Sequence, residues 1–280
     1  MVAEARSSGW SVSVVVTTRN SARTVRACLE SIRSQTVPVQ LIVVDNYSSD
    51  GTWAIACAVA DDAVQAGPER SVQRNIGLKM ASGEVVAFID SDMVLDPIVI
   101  EDSVSLIAAG AVGVIVPEHS FGVGFWAAVR AYERSFYVGE DAVEAARVFF
   151  RPVVERVGGF DSEMTGGEDW DLTRRVRECG PIFRSRYWIE HDEGALTLVE
   201  ACSKKAHYAD GLTKYSARYG LGAVFQLCDR PYLRRPWVLI RPLGLGLIVL
   251  KGSELGSVMW EIGRRYAELA SRTKSWRRIR

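Results

Sequence analysis

The stretch Glu84-Val-Val-Ala-Phe-Ile-Asp90-Ser-Asp92 decides the fold. Its unbroken apolar run reads as a strand buried on both faces, the pattern of a parallel sheet covered by helices. The run stops at two carboxylates, and ligands of open α/β sheets bind beyond the carboxyl ends of the strands. Carboxylates at i and i+2 can both reach one divalent ion. Oxygen ligands of this kind suit Mg2+ or Mn2+, with water and phosphate in the remaining positions. Taken alone, Asp90-Ser91-Asp92 fits equally a turn whose aspartate caps the next helix. Its place at a strand end favours the metal.

The same alternation extends upstream. Ser13 to Thr17 is a short β-branched strand. Ser21 then caps a helix with Val25, Leu29 and Ile32 at helical spacing, which stops before Pro38. Gln40 to Asp45 is the second strand, followed by a helix from Asp50-Gly-Thr to Val59. Ala63 to Gln65 is a short strand, and Pro68 opens a helix reaching Met80. Strands alternating with helices predict a parallel sheet with right-handed crossovers. Three strands close on polar groups, Thr17-Thr-Arg19-Asn20, Asp45 and Asp90, and together they predict a nucleotide pocket. Asp45 can accept hydrogen bonds from a base or ribose, while Arg70, Arg74 and Asn75 can reach a diphosphate.

Downstream the pattern loosens between Ser120 and Arg151, with a helix rich in Trp126, Tyr132, Phe136 and Tyr137. Residues 169–179 read as an amphipathic helix, 181–188 as a strand and 195–219 as helical. The run from Trp237 to Leu250 is strongly apolar but interrupted by Arg241 and Pro242, too short for a spanning helix of about 20 residues. Flanking arginines, Lys251, Trp237 and Trp260 suit a helix in the headgroup layer; a core helix of a small second domain is the alternative. Net charge is zero, yet from Arg230 to Arg280 there are 12 Lys+Arg against 3 Asp+Glu. Such a basic tail faces a polyanion, and its interleaved leucines, isoleucines and tryptophans suit lipid rather than nucleic acid. Five scattered cysteines without a CxxC exclude a disulfide framework and point to a reducing compartment. With no apolar h-region between Met1 and Ser11, the expected location is cytoplasmic, peripheral on the inner face of the cell membrane.

Four motifs in order, Val14-Val-Val-Thr-Thr-Arg-Asn, Val43-Val-Asp45-Asn-Tyr-Ser-Ser-Asp-Gly-Thr, Gln73-Arg-Asn-Ile-Gly and Phe88-Ile-Asp-Ser-Asp92, resemble the family-two inverting glycosyltransferases of the GT-A fold. The resemblance implies a mixed, mostly parallel Rossmann-like sheet flanked by helices over residues 1–225, with a membrane-interfacial segment at 226–280. It places Thr17 and Asp45 on the base and ribose and Arg74 near the donor, and it gives Asp92 the larger share of the metal. Arg19, Asn75, Asp90 and Ser91 complete the expected donor site. Val157-Gly-Gly-Phe-Asp161 leads into Gly166-Gly-Glu168-Asp169-Trp-Asp171, which is similar to the family's acidic motif. There Asp169 acts as general base on the acceptor hydroxyl, with Glu168 the rival. The alternative for these acids is simple stabilisation of a helix N-terminus. His191, before Asp192-Glu-Gly194 and Lys204, Lys205 and Tyr208, resembles the histidine that completes the metal site in a membrane-associated subset; His207 is a second candidate and His119 has no role.

The resemblance thus implies a nucleotide-sugar donor, a lipid-linked or glycan acceptor, a membrane surface as partner and no nucleic acid. QxxRW is absent, which fits addition of one sugar rather than processive synthesis. A polyprenyl phosphate is the alternative acceptor; its oxygen is already anionic and needs a base less. A nucleotidyltransferase or a dinucleotide oxidoreductase would carry glycines after the first strand, where Thr17-Thr-Arg-Asn-Ser21 has none. A non-catalytic lipid-binding scaffold has no need of Asp90, Asp92 and Asp169.

Overall fold

A computed structural model describes residues 9–277. The chain runs β1 (Val12–Thr18), α1 (Val25–Arg33), β2 (Gln40–Asp45), α2 (Thr52–Val59), β3 (Asp62–Gln65), α3 (Arg70–Met80), β4 (Val85–Asp90) and β5 (Met93–Leu95). There follow α4 (Val99–Ala108), β6 (Gly113–Ile115), β7 (Glu118–Phe121), α5 (Phe125–Ser135), β8 (Ala146–Phe150), α6 (Arg151–Arg156) and α7 (Glu168–Arg177). β9 (Ile182–Arg184), β10 (Ile189–Asp192), α8 (Leu198–His207), α9 (Ala209–Cys228) and α10 (Pro242–Arg277) complete it.

Seven strands form the main sheet in the order β3-β2-β1-β4-β8-β6-β9, parallel except that β8 runs antiparallel between β4 and β6. Alternate residues point to opposite faces, and both faces are covered. Val14, Val16, Leu41, Val43 and Ala87 pack under α1 and α4. Val15, Ile42, Val44, Val86 and Phe88 pack against α3, α6 and α7. Full burial of each such side chain contributes roughly 1.5–3 kcal/mol, which is why these strands read as continuous apolar runs. The expected class, a mostly parallel sheet flanked by helices, is what the chain adopts. Gly77 on α3 lies so close to β1 that a Cβ there would meet Val15 Cγ1 at 2.2 Å.

A second sheet of three strands, β5-β10-β7, closes over the carboxyl end of β4. Its register pairs His191 with Met93, and the Asp192 N–H donates to the Asp92 carbonyl at 2.9 Å. This small sheet carries residues 100 apart in sequence to one place.

Several local expectations need correction. Ser21 does not cap α1 with its side chain: its carbonyl accepts from the Thr24 and Val25 N–H groups, and its hydroxyl faces Ser91 at 2.8 Å. α3 begins at Arg70, two residues after Pro68. The expected strand over 181–188 is only the three-residue β9, with β10 beginning beyond it at Ile189, and the expected helix over 195–219 is α8 and α9, with a capping box of Thr197 and Glu200 starting α8. The C-terminal run was read as too short and too broken. In the structure Trp237 sits in a 3-10 turn at Pro236–Val238, and Pro242 stands at the start of α10, where its missing N–H costs nothing. The helix then runs on past Leu250, so that Pro242–Arg265 is by length and composition long and apolar enough to cross a membrane. One face of α10 packs on α5 and α8 through Leu247, Leu250 and Glu254, while Leu245, Ile248, Val249, Met259 and Trp260 stay exposed. The four described cysteines, Cys28, Cys57, Cys179 and Cys202, are free thiols.

Candidate functional site

Parallel register brings the polar strand ends into line: Thr17 pairs with Asp90 on one side and Val44 on the other, and Thr18 pairs with Asp45. Above them lies a cleft of about 550 Å³. Of the expected residues, Thr17, Arg19, Asp90, Ser91, Asp92, Glu168, Asp169 and His191 line it. Gly167, in the left-handed region at φ 80°, turns the chain so that α7 opens with Glu168 and Asp169 at the cleft.

One buried guanidinium organises the floor. Arg74, 1% exposed, donates to Asp169 Oδ1 at 2.7 Å and to Asp90 Oδ1 at 2.8 Å, and lies 3.4 Å from Glu168 Oε1. Asp90 also faces Arg147 at 3.5 Å, Arg147 pairs with Glu118 at 2.5 Å, and Glu118 accepts from His191 Nδ1 at 3.0 Å. His191 Nε2 then faces Asp92 Oδ2 at 3.5 Å. Charges of alternating sign therefore run unbroken from the expected base to the expected metal ligands. Burial acts to raise the Asp90 and Glu118 carboxyls, but Arg74 and Arg147 respectively outweigh it and hold both well below the usual carboxylate range. Burial and the neighbouring Asp169 instead raise Glu168, despite Arg70 and Arg74. For His191, burial and Arg134 act downward. Its bonds to Asp92 and Glu118 outweigh them and hold the ring up at about 9.

Other expected residues are placed differently. Asp45 is fully buried beneath the cleft, and its carboxylate accepts from Thr18 Oγ1, Ser48 N, Ser48 Oγ and Gln65 Nε2 at 2.5–3.1 Å. These donors occupy the lone pairs expected to meet a base or ribose. Asn75 clamps the Phe160 backbone, donating to its carbonyl and accepting from its N–H at 2.8 Å each, and does not reach a diphosphate. Arg74 is a strut under the site, not a free phosphate contact. Asp90, expected as a metal ligand, is engaged by two arginines. Among the described residues no group of three or more His, Cys, Asp and Glu is arranged to hold a metal; Asp92 and His191 face each other at 3.5 Å. Thr17 borders the cleft, but its Oγ1 is itself buried and without a hydrogen-bond partner. His207 reaches the cleft; His119 stacks on Trp188. Glu118, Arg134 and Arg147 were not foreseen. Glu118 opens β7, following Pro117 and the apolar run that holds β6, so its only sequence signal is an acid closing an apolar run.

Comparison with known proteins follows this geometry. The family model described as Glycosyl transferase family 2 matches residues 13–162, more than half the chain. The chain belongs to glycosyl transferase family 2. As a family-2 transferase it is an enzyme, and it resembles the glycosyltransferase AglE of Haloferax volcanii with 29% identity over 249 residues, covering 81% of this chain and 78% of that one. It is 33% identical over 87 residues to an Escherichia coli protein named UDP-Glc:alpha-D-GlcNAc-diphosphoundecaprenol beta-1,3-glucosyltransferase, covering 29% of this chain and 35% of that one. The transferase shares its fold with the mannosyltransferase PcManGT from Pyrobaculum calidifontis, solved with GDP-Man and Mn2+: TM-score 0.57, 18% identity, 95% of this chain and 82% of that one. The matched family span ends before Glu168 and Asp169, so the acidic motif rests on its own geometry.

Proposed function

We propose that the chain transfers a single sugar, with inversion, from a UDP- or GDP-sugar to a hydroxyl of a lipid-linked or glycan acceptor at the cytoplasmic face of a membrane. The observation that carries this reading is the joining of Asp169 and Asp90, through Arg74, in one cleft with Asp92 and His191. The GDP-Man bound in PcManGT and the UDP-Glc in the name of the E. coli relative support a nucleotide-sugar donor.

Asp92 and His191 would hold Mg2+ or Mn2+. The fit is chemical: Glu118 can only accept, so Nδ1 keeps its proton toward it, while an ion held with Asp92 would take the place of the second proton, the one Nε2 turns toward that carboxylate. Bound there, the ion would supply positive charge to the diphosphate as it leaves. The chain's own residues do the rest. Thr17 borders the cleft where the base or ribose would lie, and Arg19, without an acidic partner among the described residues, stands at the rim for phosphate. Asp169, whose side chain is 33% exposed while its other oxygen is held by Arg74, takes the proton of the acceptor hydroxyl. The acceptor oxygen forms its bond to the anomeric carbon, the bond to the diphosphate breaks, and the electron pair departs with the nucleoside diphosphate. Base catalysis of this kind contributes roughly 10²–10⁴-fold. Glu168, enclosed between Arg70 at 3.0 Å and Arg74, positions those arginines.

The exposed apolar face of α10, with Arg230, Arg234, Arg235 and Arg241 ahead of it, supports a helix lying in the headgroup layer while its other face stays on α5 and α8. Residues 226–280 would then be the membrane-facing part and 1–225 the transferase domain. The test is a panel of nucleotide sugars with Mn2+ or Mg2+: metal-dependent release of UDP or GDP from one of them is expected. Failure to bind or hydrolyse any would overturn the reading.

A further inference from the structure

Past Asp92 the cleft continues along a wall outside the donor and base motifs. α5, α8 and α10 bring Arg130, Arg134, Lys251 and the Lys204 and Lys205 of the stretch after His191 to it, and the turn after α9 adds Arg230. Three of these cations are neutralised within the fold. Arg130 pairs with Glu133 at 2.8 Å and with Glu254, Lys251 with Glu133 at 2.6 Å and Glu254 at 2.7 Å, and Arg134 with Glu118 and Glu193 at 2.9 Å. Lys204, Lys205 and Arg230 form no close salt bridge among the described residues, although Asp92 acts on Lys204, and Glu254 and Glu133 on Lys205, at longer range. Arg230 instead lies over the Tyr137 ring, 5.8 Å from its centroid. Lys205 is half-buried, and burial with the nearby Lys251 brings its ammonium down to about 8. Three cations without a close salt-bridge partner, one of them half-buried, can take up an anion.

Its surroundings indicate what carries that anion. The cleft beside these cations is lined by Val138, Leu196 and Leu212. Immediately after Arg230 the chain exposes Leu233, Trp237 and Ile240, and the outer face of α10 continues with Leu245 and Ile248. Apolar surface exposed beside a cationic wall fits an amphiphile whose head is a phosphate ester. A free phosphate would need the cations but not the apolar lip.

We propose that Lys204, Lys205 and Arg230 form a second anion site, separate from the donor's diphosphate site, that binds the phosphate group of an acceptor borne on an apolar chain. This rests on the transferase reading above and adds the acceptor's class to it.

The test uses the full chain and calorimetric titration in EDTA, so that no metal assists binding. Farnesyl diphosphate is the amphiphilic probe, with farnesol and inorganic pyrophosphate as comparisons. Farnesyl diphosphate should bind at least tenfold more tightly than either, and the double variant Lys204→Gln/Arg230→Gln should weaken it at least tenfold. Both substituted residues lie outside the packed core, and an unchanged melting temperature shows that the fold is kept. Lys204→Arg should restore binding if positive charge is what matters. The probe should also bind undiminished when UDP or GDP and Mn2+ are already bound. Displacement of the probe by nucleotide would overturn the proposal by merging the two anion sites. So would unaltered binding in the double variant, or farnesol binding as well as its diphosphate. Pyrophosphate binding as tightly as the probe would overturn the apolar carrier. Failure of the unaltered chain to bind nucleotide with Mn2+ counts against the transferase reading alone, since the anion titration contains neither.

Discussion

Arg74 does more in this molecule than its place in Gln73-Arg-Asn indicates. Three carboxylates, Asp90, Glu168 and Asp169, converge on one fully buried guanidinium. Removing one member of a buried ionic cluster typically costs about 3–5 kcal/mol, because the remaining charges are left uncompensated. Arg74→Met should lower stability by about that amount in urea unfolding, as well as abolishing transfer. The two halves of the cleft separate in other variants. Asp92→Ala and Asp169→Asn should both reduce transfer by at least roughly 10², but only the first should weaken Mn2+-dependent binding of UDP or GDP. Equal nucleotide affinity in the Asp92 variant would remove that residue from the metal site. Glu118→Gln should lower Mn2+ affinity by roughly 10–100-fold through the misplaced His191 ring, read by metal titration. At this scale the sequence disclosed the residues that end strands. It did not disclose what each one touches: Asp45 and Asn75 have the right position in the chain, but their polar atoms are consumed by Ser48, Gln65 and Phe160.

Among the elements, β1, β2 and β4 were legible because continuous apolar runs ending in polar residues have few other readings. β2 has the expected bounds, Gln40–Asp45. β7 and β10 were not, since four-residue strands such as Glu118–Phe121 carry no periodicity and are defined only by pairing with each other and with β5. That small sheet brings Glu118 to His191, which explains why the second half of the charge chain escaped notice. Element packing makes its own predictions. Gly77→Val would drive a side chain into Val15, so a loss of about 1–3 kcal/mol is expected from chemical denaturation; an unchanged midpoint would mean that α3 can lift from β1. α5 and α10 are joined by Glu133, to which Lys251 and Arg130 both pair. Burial alone would raise its carboxyl, but Lys251 and Arg130 outweigh burial and bring it down to about 2, below an ordinary 4.5. Its folded value is depressed, so its contribution to stability is complete above about pH 4.5 and is lost as pH falls towards 2. Melting temperatures between those limits should fall less steeply in Glu133→Gln than in the unaltered chain.

For the molecule as a whole, the division of charge visible in the sequence has a structural counterpart. The basic last fifth of the chain supplies α10, whose inner face closes the α5–α8 side of the cleft and whose outer face is apolar. Truncating at Arg230 would therefore strip a packed surface, and substitution is the cleaner test. Leu245→Ser, Ile248→Ser, Val249→Ser and Trp260→Ser together should reduce co-sedimentation with anionic phospholipid vesicles at least tenfold while leaving the melting temperature near that of the parent. Undiminished sedimentation would remove α10 from the membrane contact. The interruption at Arg241-Pro242 misled the sequence reading because a proline is as apt to begin a helix as to end one, and only the turn before it settles which.

Lys251 sits on that helix and on the cleft wall at once. Were α10 to lie on a bilayer as proposed and shift there, a residue bordering the proposed acceptor site would move with it, and thermodynamic reciprocity would require the acceptor to alter bilayer affinity by the same factor. Turnover with vesicles present would then exceed turnover in free solution.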